Sequence, residues 1–352
     1  MGDCFTERVE SMPDGELISV TINDGIKKFS ELGRHDNSND DKSKYKKVCV
    51  GDIAYNSMRM WQGASGYSSY EGIVSPAYTV LSPNSGINSK CLAYQFKLPE
   101  MIHTFQVNSQ GITSDNWNLK YPVLSKIEIF VSKDEQEQAK IAEYFENLDN
   151  LITLHQRKYD KLTNVKKSML EKMFPKNGSN VPEIRFKGFS DAWEQRKVRD
   201  VANRYDNLRV PVAANLRVSG TTPYYGANGI QDYVEGYTHE GEFVLVAEDG
   251  ANDLKNYPVK CVNGRIWVNN HAHVLQGKAK IADNQFLAYS INQADIESLL
   301  VGGSRAKLNA ETLMDIELIL PSLPEQQEIG TYLKHLDNLI TLHQRECIYL
   351  FS

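Results

Sequence analysis

The side chains best suited to chemistry are two histidines on a strand-like run and several aspartates near the start of the chain. His271 and His273 alternate, so both could reach one metal ion, but the sequence offers no evident third ligand. The plainer interpretation is that they face a groove or hydrogen-bond within the fold. Residues 13–14 and 40–42 offer a nuclease-like set of carboxylates, although residues 40–42 lie in a charged, solvated loop. We therefore predict no catalytic residue and no metal site.

The sequence also lacks the motifs of nucleotide-using and methyl-transferring enzymes. It contains no Gly-x-x-x-x-Gly-Lys phosphate loop and no Asn-Pro-Pro-Tyr motif of the adenine-methylase type. With 352 residues, 41% of them hydrophobic and 24% charged, the chain has the size of two or three globular domains. The formal net charge of −6 gives no indication of nucleic-acid binding, so such binding would need a local basic face.

Cysteine usage and hydropathy indicate where such a chain would work. The five cysteines are scattered, which favours a reducing cytoplasm and argues against a zinc site. The longest apolar runs are too short to cross a membrane, and no apolar core follows the first residues as a signal peptide would require. We therefore predict a cytoplasmic protein with no membrane partner.

The chain contains one ten-residue sequence, LDNLITLHQR, twice, at residues 148–157 and at residues 336–345. Identity over ten consecutive positions does not arise by chance. Each copy follows a Glu-Gln pair at the same offset, residues 137–138 in the first copy and residues 325–326 in the second. The chain is therefore predicted to be two copies of one unit.

Each repeated stretch is predicted to lie in a long helix. Apolar side chains recur at heptad spacing along residues 141–173, with one histidine in the line, and no Gly or Pro interrupts residues 134–174. Such a helix would span about 60 Å at about 1.5 Å per residue. Because it has no core of its own, its natural partner is the other copy. The predicted packing residues are Leu148, Leu151, Ile152 and His155 of the first copy and Leu336, Leu339, Ile340 and His343 of the second.

The rest of the chain is predicted to form two mixed, β-rich globular units. Strand-like patterns occur at residues 17–22, 48–55, 77–81, 126–131, 243–246, 266–268 and 316–320. The two units share the order of their elements but differ almost completely between these anchors, whereas the helical repeats are nearly identical. This contrast indicates that the helices share one role while each globular unit reads something different.

Two further segments make the chain resemble a known family. Residues 181–197, VPEIRFKGFSDAWEQRK, resemble the entry to a target-recognition domain in specificity subunits of type I restriction–modification systems. Residues 321–329, PSLPEQQEI, resemble the exit from such a domain into the family's helical spacer. The order of globular unit, helix, globular unit and helix also matches, so the resemblance covers essentially the whole chain.

The resemblance implies an α+β fold. Two target-recognition domains, residues 1–133 and 177–322, would be separated by long antiparallel coiled-coil helices at residues 134–176 and 323–352. Each domain would read one half of a bipartite site in double-stranded DNA through the major groove, and the helices would fix the gap between the half-sites. Modification subunits would bring S-adenosylmethionine and methylate adenine, while restriction subunits would bring an ATP-driven motor and a magnesium-dependent nuclease. The chain itself would be non-catalytic and hold no cofactor.

Several loops carry residue types that suit DNA contacts. Residues 224–229, YYGANG, combine rings that can stack with an amide that can pair with adenine. A second loop, residues 302–307, could hold phosphates, or its arginine could pair with guanine. Each single residue is also compatible with an ordinary surface loop. The predicted DNA contacts are Arg59, Trp61, Gln62 and Asn116 in the first unit and Tyr224, Tyr225, Asn228, Asn252, Lys255, Arg305 and Lys307 in the second.

Both ends of the sequence depart from the family pattern. No counterpart of residues 186–196 precedes Met1, and few residues follow Arg345. We therefore expect a chain truncated or rearranged at both ends. The far part of the first helix, with Leu162, Val165 and Met169, would then lack an intramolecular partner. These residues would be exposed, or covered by a modification subunit or by a second copy of the chain.

Two other functions stay open from the sequence alone. One is a protein-interaction scaffold built on the coiled-coil helices, with DNA reading impaired by truncation. The other is an enzyme with an unrecognised site, which would show itself by methyl transfer from the purified chain.

Overall fold

The chain folds into two compact units, Met1–Leu151 and Ile152–Ser352, here called unit 1 and unit 2. The structure, a computed structural model, describes residues 1–351 apart from residues 24, 34, 37, 177 and 303–305. It also leaves the side chains of residues 115 and 349–351 undescribed. Among the described helices, none combines the length and the apolar character that crossing a membrane would require.

Unit 1 is built from short strands around a small helical layer. Its strands are β1 (Phe5–Glu7), β2 (Ile18–Thr21), β3 (Gly25–Lys28), β4 (Lys46–Val48), β5 (Ile53–Asn56), β6 (Ser65–Tyr67), β7 (Gly72–Val74) and β8 (Tyr78–Pro83). Its helices are α1 (Ser89–Gln95), α2 (Pro99–Asn108), α3 (Tyr121–Leu124) and the first part of α4 (Glu135–Lys172). The main sheet has the antiparallel order β1-β8-β5-β6, and β2-β3 and β4-β7 form separate pairs.

Of the strand predictions for unit 1, one is refined and one was wrong. The strand at residues 48–55, predicted to be interrupted by Gly51, is two strands, because Gly51 turns the chain at a φ of 94° and the Asp52 carboxylate accepts a hydrogen bond from the Cys49 backbone amide. Residues 126–131 form no described strand, although they alternate as a strand would. A strand needs a hydrogen-bonding partner as well as a pattern, and Phe130, which is 98% exposed, has no covering element among the described residues.

Unit 2 contains a larger sheet. Its strands are β9 (Glu194–Lys197), β10 (Ala202–Arg204), β11 (Ser219–Gly226), β12 (Gly229–Val234), β13 (His239–Ala247), β14 (Val259–Val268), β15 (Ala272–Gly277) and β16 (Glu317–Leu320). Its helices are the remainder of α4, α5 (Val198–Val201), α6 (Asn284–Asn292), α7 (Ala310–Asp315) and α8 (Leu323–Phe351). The sheet order is β10-β15-β13-β14-β11-β12, and β16 pairs separately with β9.

A glutamine at the equivalent position of each copy, Gln138 or Gln326, ties the start of each long helix to its globular unit. Gln138, near the start of α4, accepts a hydrogen bond from the Asn88 amide and donates to the carbonyls of Gly86 and Ser132. Asn88 is the residue that caps α1, so this contact joins the first turns of two helices. The repeated Glu-Gln pair in the sequence therefore supplies a structural joint between helix and globular unit.

Unit 2 repeats this joint with different backbone partners. Gln326, near the start of α8, accepts a hydrogen bond from the Asp283 amide and donates to the carbonyls of Ile281 and Pro321. Asp283 caps α6 as Asn88 caps α1. Both glutamines are buried, so in each unit three backbone groups depend on one side-chain amide for their hydrogen bonds.

Within unit 2, the later part of α4 runs antiparallel to α8. His155 contacts His343, and further along α4 Lys166 forms an ion pair with Asp337, which precedes His343 in α8. Residue numbers rise along α4 from His155 to Lys166, whereas those of their contact partners in α8 fall from His343 to Asp337. The two helices therefore run in opposite directions. Among the predicted packing residues, Leu336 is 5% exposed and Leu151, in unit 1, is 44% exposed. Leu148, Ile152, His155, Leu339, Ile340 and His343 are half-buried.

The far part of α4 does not lack an intramolecular partner, so that prediction was wrong. Leu162, Val165 and Met169 pack against the main apolar core of unit 2, which includes Trp193 and Leu333. The sequence pattern describes a coiled-coil seam, but this end of the helix packs on the globular core of its own unit instead. These residues therefore offer no argument for self-association.

Candidate nucleic-acid interface

Two loops of unit 2 meet through the predicted DNA-contact residues Asn228 and Asn252. Asn228 lies in the turn between β11 and β12, and its side-chain oxygen accepts a hydrogen bond of 2.8 Å from the Asn252 amide. Its side-chain nitrogen donates to the Gly250 carbonyl at 2.9 Å. Both asparagines are exposed. This contact, which uses the backbone amide of Asn252, holds the β11–β12 turn against the loop between β13 and β14. The side chains of Asn228 and Asn252, which are distant in sequence, therefore lie on one surface.

Lys255 belongs to the same β13–β14 loop. The backbone and side-chain amides of Asn256 donate to the Asp253 carboxylate, as does the backbone amide of Lys255, and these bonds hold the pKa of Asp253 below its usual value. The loop is thus shaped by its own aspartate, and the side chain of Lys255 is exposed. An exposed lysine beside two amides suits a contact with a phosphate flanking the bases.

Lys307 lies next to this loop but its charge is already partnered. Its amine contacts Glu248 at 2.8 Å, and Glu248 also binds the Arg209 guanidinium at 2.7 Å. The backbone amide of Leu308 donates to the Glu248 carbonyl, which joins the segment after residue 306 to the end of β13. Burial alone would raise the pKa of Glu248, but the bonds from Lys307 and Arg209 outweigh it and lower that pKa. Arg305, another predicted contact, lies outside the described residues.

Tyr224 and Tyr225 lie in the core of unit 2. Tyr224 is 1% exposed, its hydroxyl bonds with the backbone of Val212, and Arg217 and Trp267 lie against its ring. Tyr225 packs into the second apolar cluster of the unit. This burial argues against base stacking by either ring, because a stacking ring must present a face to solvent. Asn228 is the exposed residue of that predicted motif, and its side-chain amide is bonded to the β13–β14 loop.

The two histidines of the strand-like run are both engaged within the fold. His273, buried in β15, lies 2.7 Å from Asp206 through Nδ1 and 2.9 Å from the Leu308 carbonyl through Nε2. His271 contacts Asp249. Burial would raise the pKa of Asp206, but the bond from His273 outweighs it and the pKa is lowered. Asp206, Glu248 and His273 lie close together, yet Arg209 and Lys307 already supply positive charge to this cluster.

Unit 1 gathers its predicted contacts around two tryptophans. Arg59, Trp61 and Gln62 lie at a short 3-10 turn, and the Trp61 ring meets Trp117 edge to face at 5.2 Å. Trp117 follows Asn116, so the ring contact brings the two loops together. Arg59 and Asn116 are exposed. The sequence reasoning missed Trp117, although its position beside Asn116 in a polar loop was a usable signal.

Comparison with known proteins places the chain among relatives of one family. The profile of the family described as the type I restriction modification DNA specificity domain matches residues 21–164 and 190–348. A candidate type I restriction enzyme specificity subunit of Haemophilus influenzae is 46% identical over 167 residues, which are 47% of this chain and 42% of that protein. A type I restriction enzyme specificity subunit of Methanocaldococcus jannaschii is 23% identical over 341 residues, 86% of this chain and 78% of that protein.

A solved structure supports the fold. The crystal structure of the S subunit of a type I restriction–modification system from M. genitalium aligns with a TM-score of 0.62 at 14% identity, over 99% of this chain and 91% of that one. The predicted α+β class, with two domains and long helices, is confirmed. The chain spans less than half of the Haemophilus relative, at 42% of its length. Since the family profile covers most of the sequence, the chain belongs to the type I restriction–modification DNA specificity family.

Proposed function

We propose that this chain is the non-catalytic DNA-recognition subunit of a type I restriction–modification complex. Each unit would read one half of a bipartite site in double-stranded DNA. The observation that carries the proposal is the convergence of separate loops in unit 2, where Asn228 and Asn252 meet on an exposed surface beside Lys255. Asn228 holds the two loops together, and the exposed side-chain amide of Asn252 can then pair with adenine in the major groove while Lys255 holds a phosphate.

Unit 1 supports the same proposal with different residues. Arg59, Gln62 and Asn116 surround the Trp61–Trp117 contact, and arginine is the side chain best suited to pair with guanine. Two units with unlike loop residues fit two unlike half-sites. Adenine methylation and cleavage would then follow from modification and restriction subunits, which would bring S-adenosylmethionine, ATP and magnesium. A chain of this function would work in the cytoplasm.

Methylation mapping in cells that carry the chain with its modification subunit would test the proposal. We expect methylated adenines in a two-part sequence. The half-site assignment then follows from binding to duplexes altered in one half at a time. Asn252→Ala is expected to weaken only the half-site read by unit 2, by about 1–3 kcal/mol if it pairs with a base.

A matched control keeps this test specific. Asn263 is an exposed asparagine of unit 2 that lies in β14 rather than in the converging loops, and Asn263→Ala is expected to leave binding unchanged. Arg59→Ala is expected to act on the other half-site. Equal loss at both half-sites from Asn252→Ala, or no methylation pattern at all, would overturn the two-reader assignment.

A further inference from the structure

The contact between α4 and α8 in unit 2 holds three potential metal ligands that DNA recognition does not use. His155 and His343 approach each other through their Nδ1 atoms at 3.0 Å. The Glu346 carboxylate lies 2.7 Å from the His155 Nδ1 and 3.2 Å from the His343 Nδ1. Three ligand atoms from two helices therefore form a small triangle.

This arrangement brings three electron-pair donors to one point. A neutral imidazole nitrogen carries either a proton or a lone pair, and a carboxylate offers only lone pairs. Lone pairs at such distances repel unless a proton or a cation lies between them. If both imidazoles carry their proton on Nδ1, each can donate to the Glu346 carboxylate, but the two N–H groups then face each other at 3.0 Å. A metal ion at the centre of the triangle would instead satisfy all three ligands together.

We propose that His155, His343 and Glu346 form a Zn²⁺ site. Two imidazole nitrogens and a carboxylate are a common zinc ligand set, and zinc bonds of about 2.0–2.2 Å in a tetrahedral site separate ligand atoms by about 3.3 Å. The separations here, 2.7 to 3.2 Å, would open to that value by roughly 0.1 to 0.6 Å, the largest change being between His155 and Glu346. All three side chains are half-buried, so water can supply the fourth ligand.

The other ligand cluster in unit 2 makes a useful contrast. Asp206, Glu248 and His273 also lie within reach of one another. Arg209 and Lys307, however, bind the same carboxylates, and a metal ion would have to displace those charges. Of the two clusters, only the one between the helices has its described contacts confined to the potential ligands themselves.

Bound zinc would fasten the two copies of the repeated sequence together. His155 and His343 occupy the same position in the two identical stretches, so the site lies where one repeat crosses the other. Glu346, by contrast, follows the second repeat, and Lys158 stands at the corresponding place after the first. The site thus depends on both repeats and on one residue peculiar to α8.

The test is a titration of the full chain, freed of any histidine tag, with Zn²⁺ in a calorimeter and with Co²⁺ by visible absorption. We expect one saturable site per chain and an absorption band typical of tetrahedral cobalt. His155→Ala and His343→Ala are each expected to weaken binding by at least about tenfold, since even partners outside the ligand shell contribute that much. Glu346→Gln is expected to weaken it as well.

The control is His335→Ala, which removes an exposed histidine of α8 away from the cluster and should leave the affinity unchanged. Circular dichroism checks that each variant keeps its helices. Zn²⁺ should also raise the melting temperature of the unaltered chain and not that of His343→Ala, because a ligand stabilises only the state that binds it. An unaltered chain that binds no Zn²⁺, or a site that survives both histidine substitutions, would overturn the proposal. This test does not depend on DNA recognition.

Discussion

The two long helices begin with the same joint but differ in what covers them. In unit 2, Glu325 is 0% exposed and forms two hydrogen bonds with Arg185, at 2.6 and 2.8 Å. In unit 1 the equivalent Glu137 is exposed and accepts a bond from the Ser132 hydroxyl. Similar helix sequences are therefore buried in one unit and open in the other, because burial depends on the segment packed against the helix.

The same difference extends along the neighbouring surface. In unit 2, β16 pairs with β9, and Ile329 and Leu333 of α8 are buried in the core. The equivalent positions in unit 1, Ile141 and Phe145, line an open groove of about 480 Å³ together with Phe130. Each unit keeps one more shared contact, from the hydroxyl of a tyrosine to an aspartate of the repeat: Tyr94 to Asp149, and Tyr289 to Asp337.

The largest expected effect of this difference is at the buried ion pair. Arg185→Ala leaves the Glu325 carboxylate buried without its partner, which is expected to cost about 3–5 kcal/mol of the stability of unit 2. Glu137→Ala in unit 1 is expected to cost less than about 0.5 kcal/mol, as for other exposed side chains. Denaturation followed by hydrogen exchange on peptides of each unit would measure the stability lost in the two variants. A cost for Glu137→Ala close to that for Arg185→Ala would show that the two helix starts are equally covered.

A second prediction compares the same leucine in the two repeats. Leu336→Ala is expected to destabilise unit 2 by about 2–5 kcal/mol, because the side chain is deleted from a filled core. Leu148→Ala, at the equivalent half-buried position of unit 1, should cost clearly less. Urea titrations of the two variants against the unaltered chain would measure the difference. Equal costs would mean that the repeat packs equally tightly in both units.

The glutamine joint, in contrast, should behave alike in the two units. Gln138→Leu and Gln326→Leu each remove the partner of three backbone groups near the start of a long helix. Each is expected to destabilise its own unit by at least about 1–3 kcal/mol, the cost of one unsatisfied buried group. Gln156→Leu, at an exposed position of α4, serves as the control. A large cost in only one unit would break the equivalence of the joints.

The smallest effect concerns pH and is confined to unit 1. Burial lowers the pKa of Lys97 to about 8, while its amine donates to the carbonyls of Ile22 and Gly63. The unfolded chain has the higher lysine pKa, so between about pH 8 and 10 it binds more protons than the folded chain, and this lysine adds stability as the pH rises.

Lys97→Met should abolish that gain, and Lys126→Met, at an exposed position, should keep it. Urea midpoints measured at pH 7.5 and pH 9.5 would compare the variants. Lys97 lies as far along the chain from the N-cap Asn88 of α1 as Asn292 lies from the N-cap Asp283 of α6. Asparagine does not titrate, so the effect should be absent in unit 2. The attribution of this gain to Lys97 would be contradicted if the urea midpoint changed between pH 7.5 and pH 9.5 by the same amount in the unaltered chain and in Lys97→Met.

Much of the fold followed from the repeat. Identical decapeptides and heptad spacing predicted the long helices that appear as α4 and α8, and the paired Glu-Gln positions marked their starts. The candidate site was less accessible to sequence reasoning. Tyr224 looks like a loop residue in sequence, yet it is a core side chain, because its neighbours Val212 and Trp267 come from other elements. The Asn228–Asn252 contact likewise depends on two loops whose meeting no local pattern encodes.

The exposed Phe130 of unit 1 also bears on how concentrated solutions of the protein should behave. Among the described residues, residues 128–131 belong to no strand, and the Phe130 side chain is almost fully exposed beside the groove that Ile141 and Phe145 line. An exposed aromatic side chain beside an apolar groove is a surface on which further chains can associate. Light scattering should therefore rise with concentration before any unfolding occurs. A lysine at position 130 would act as a gatekeeper against that colloidal growth.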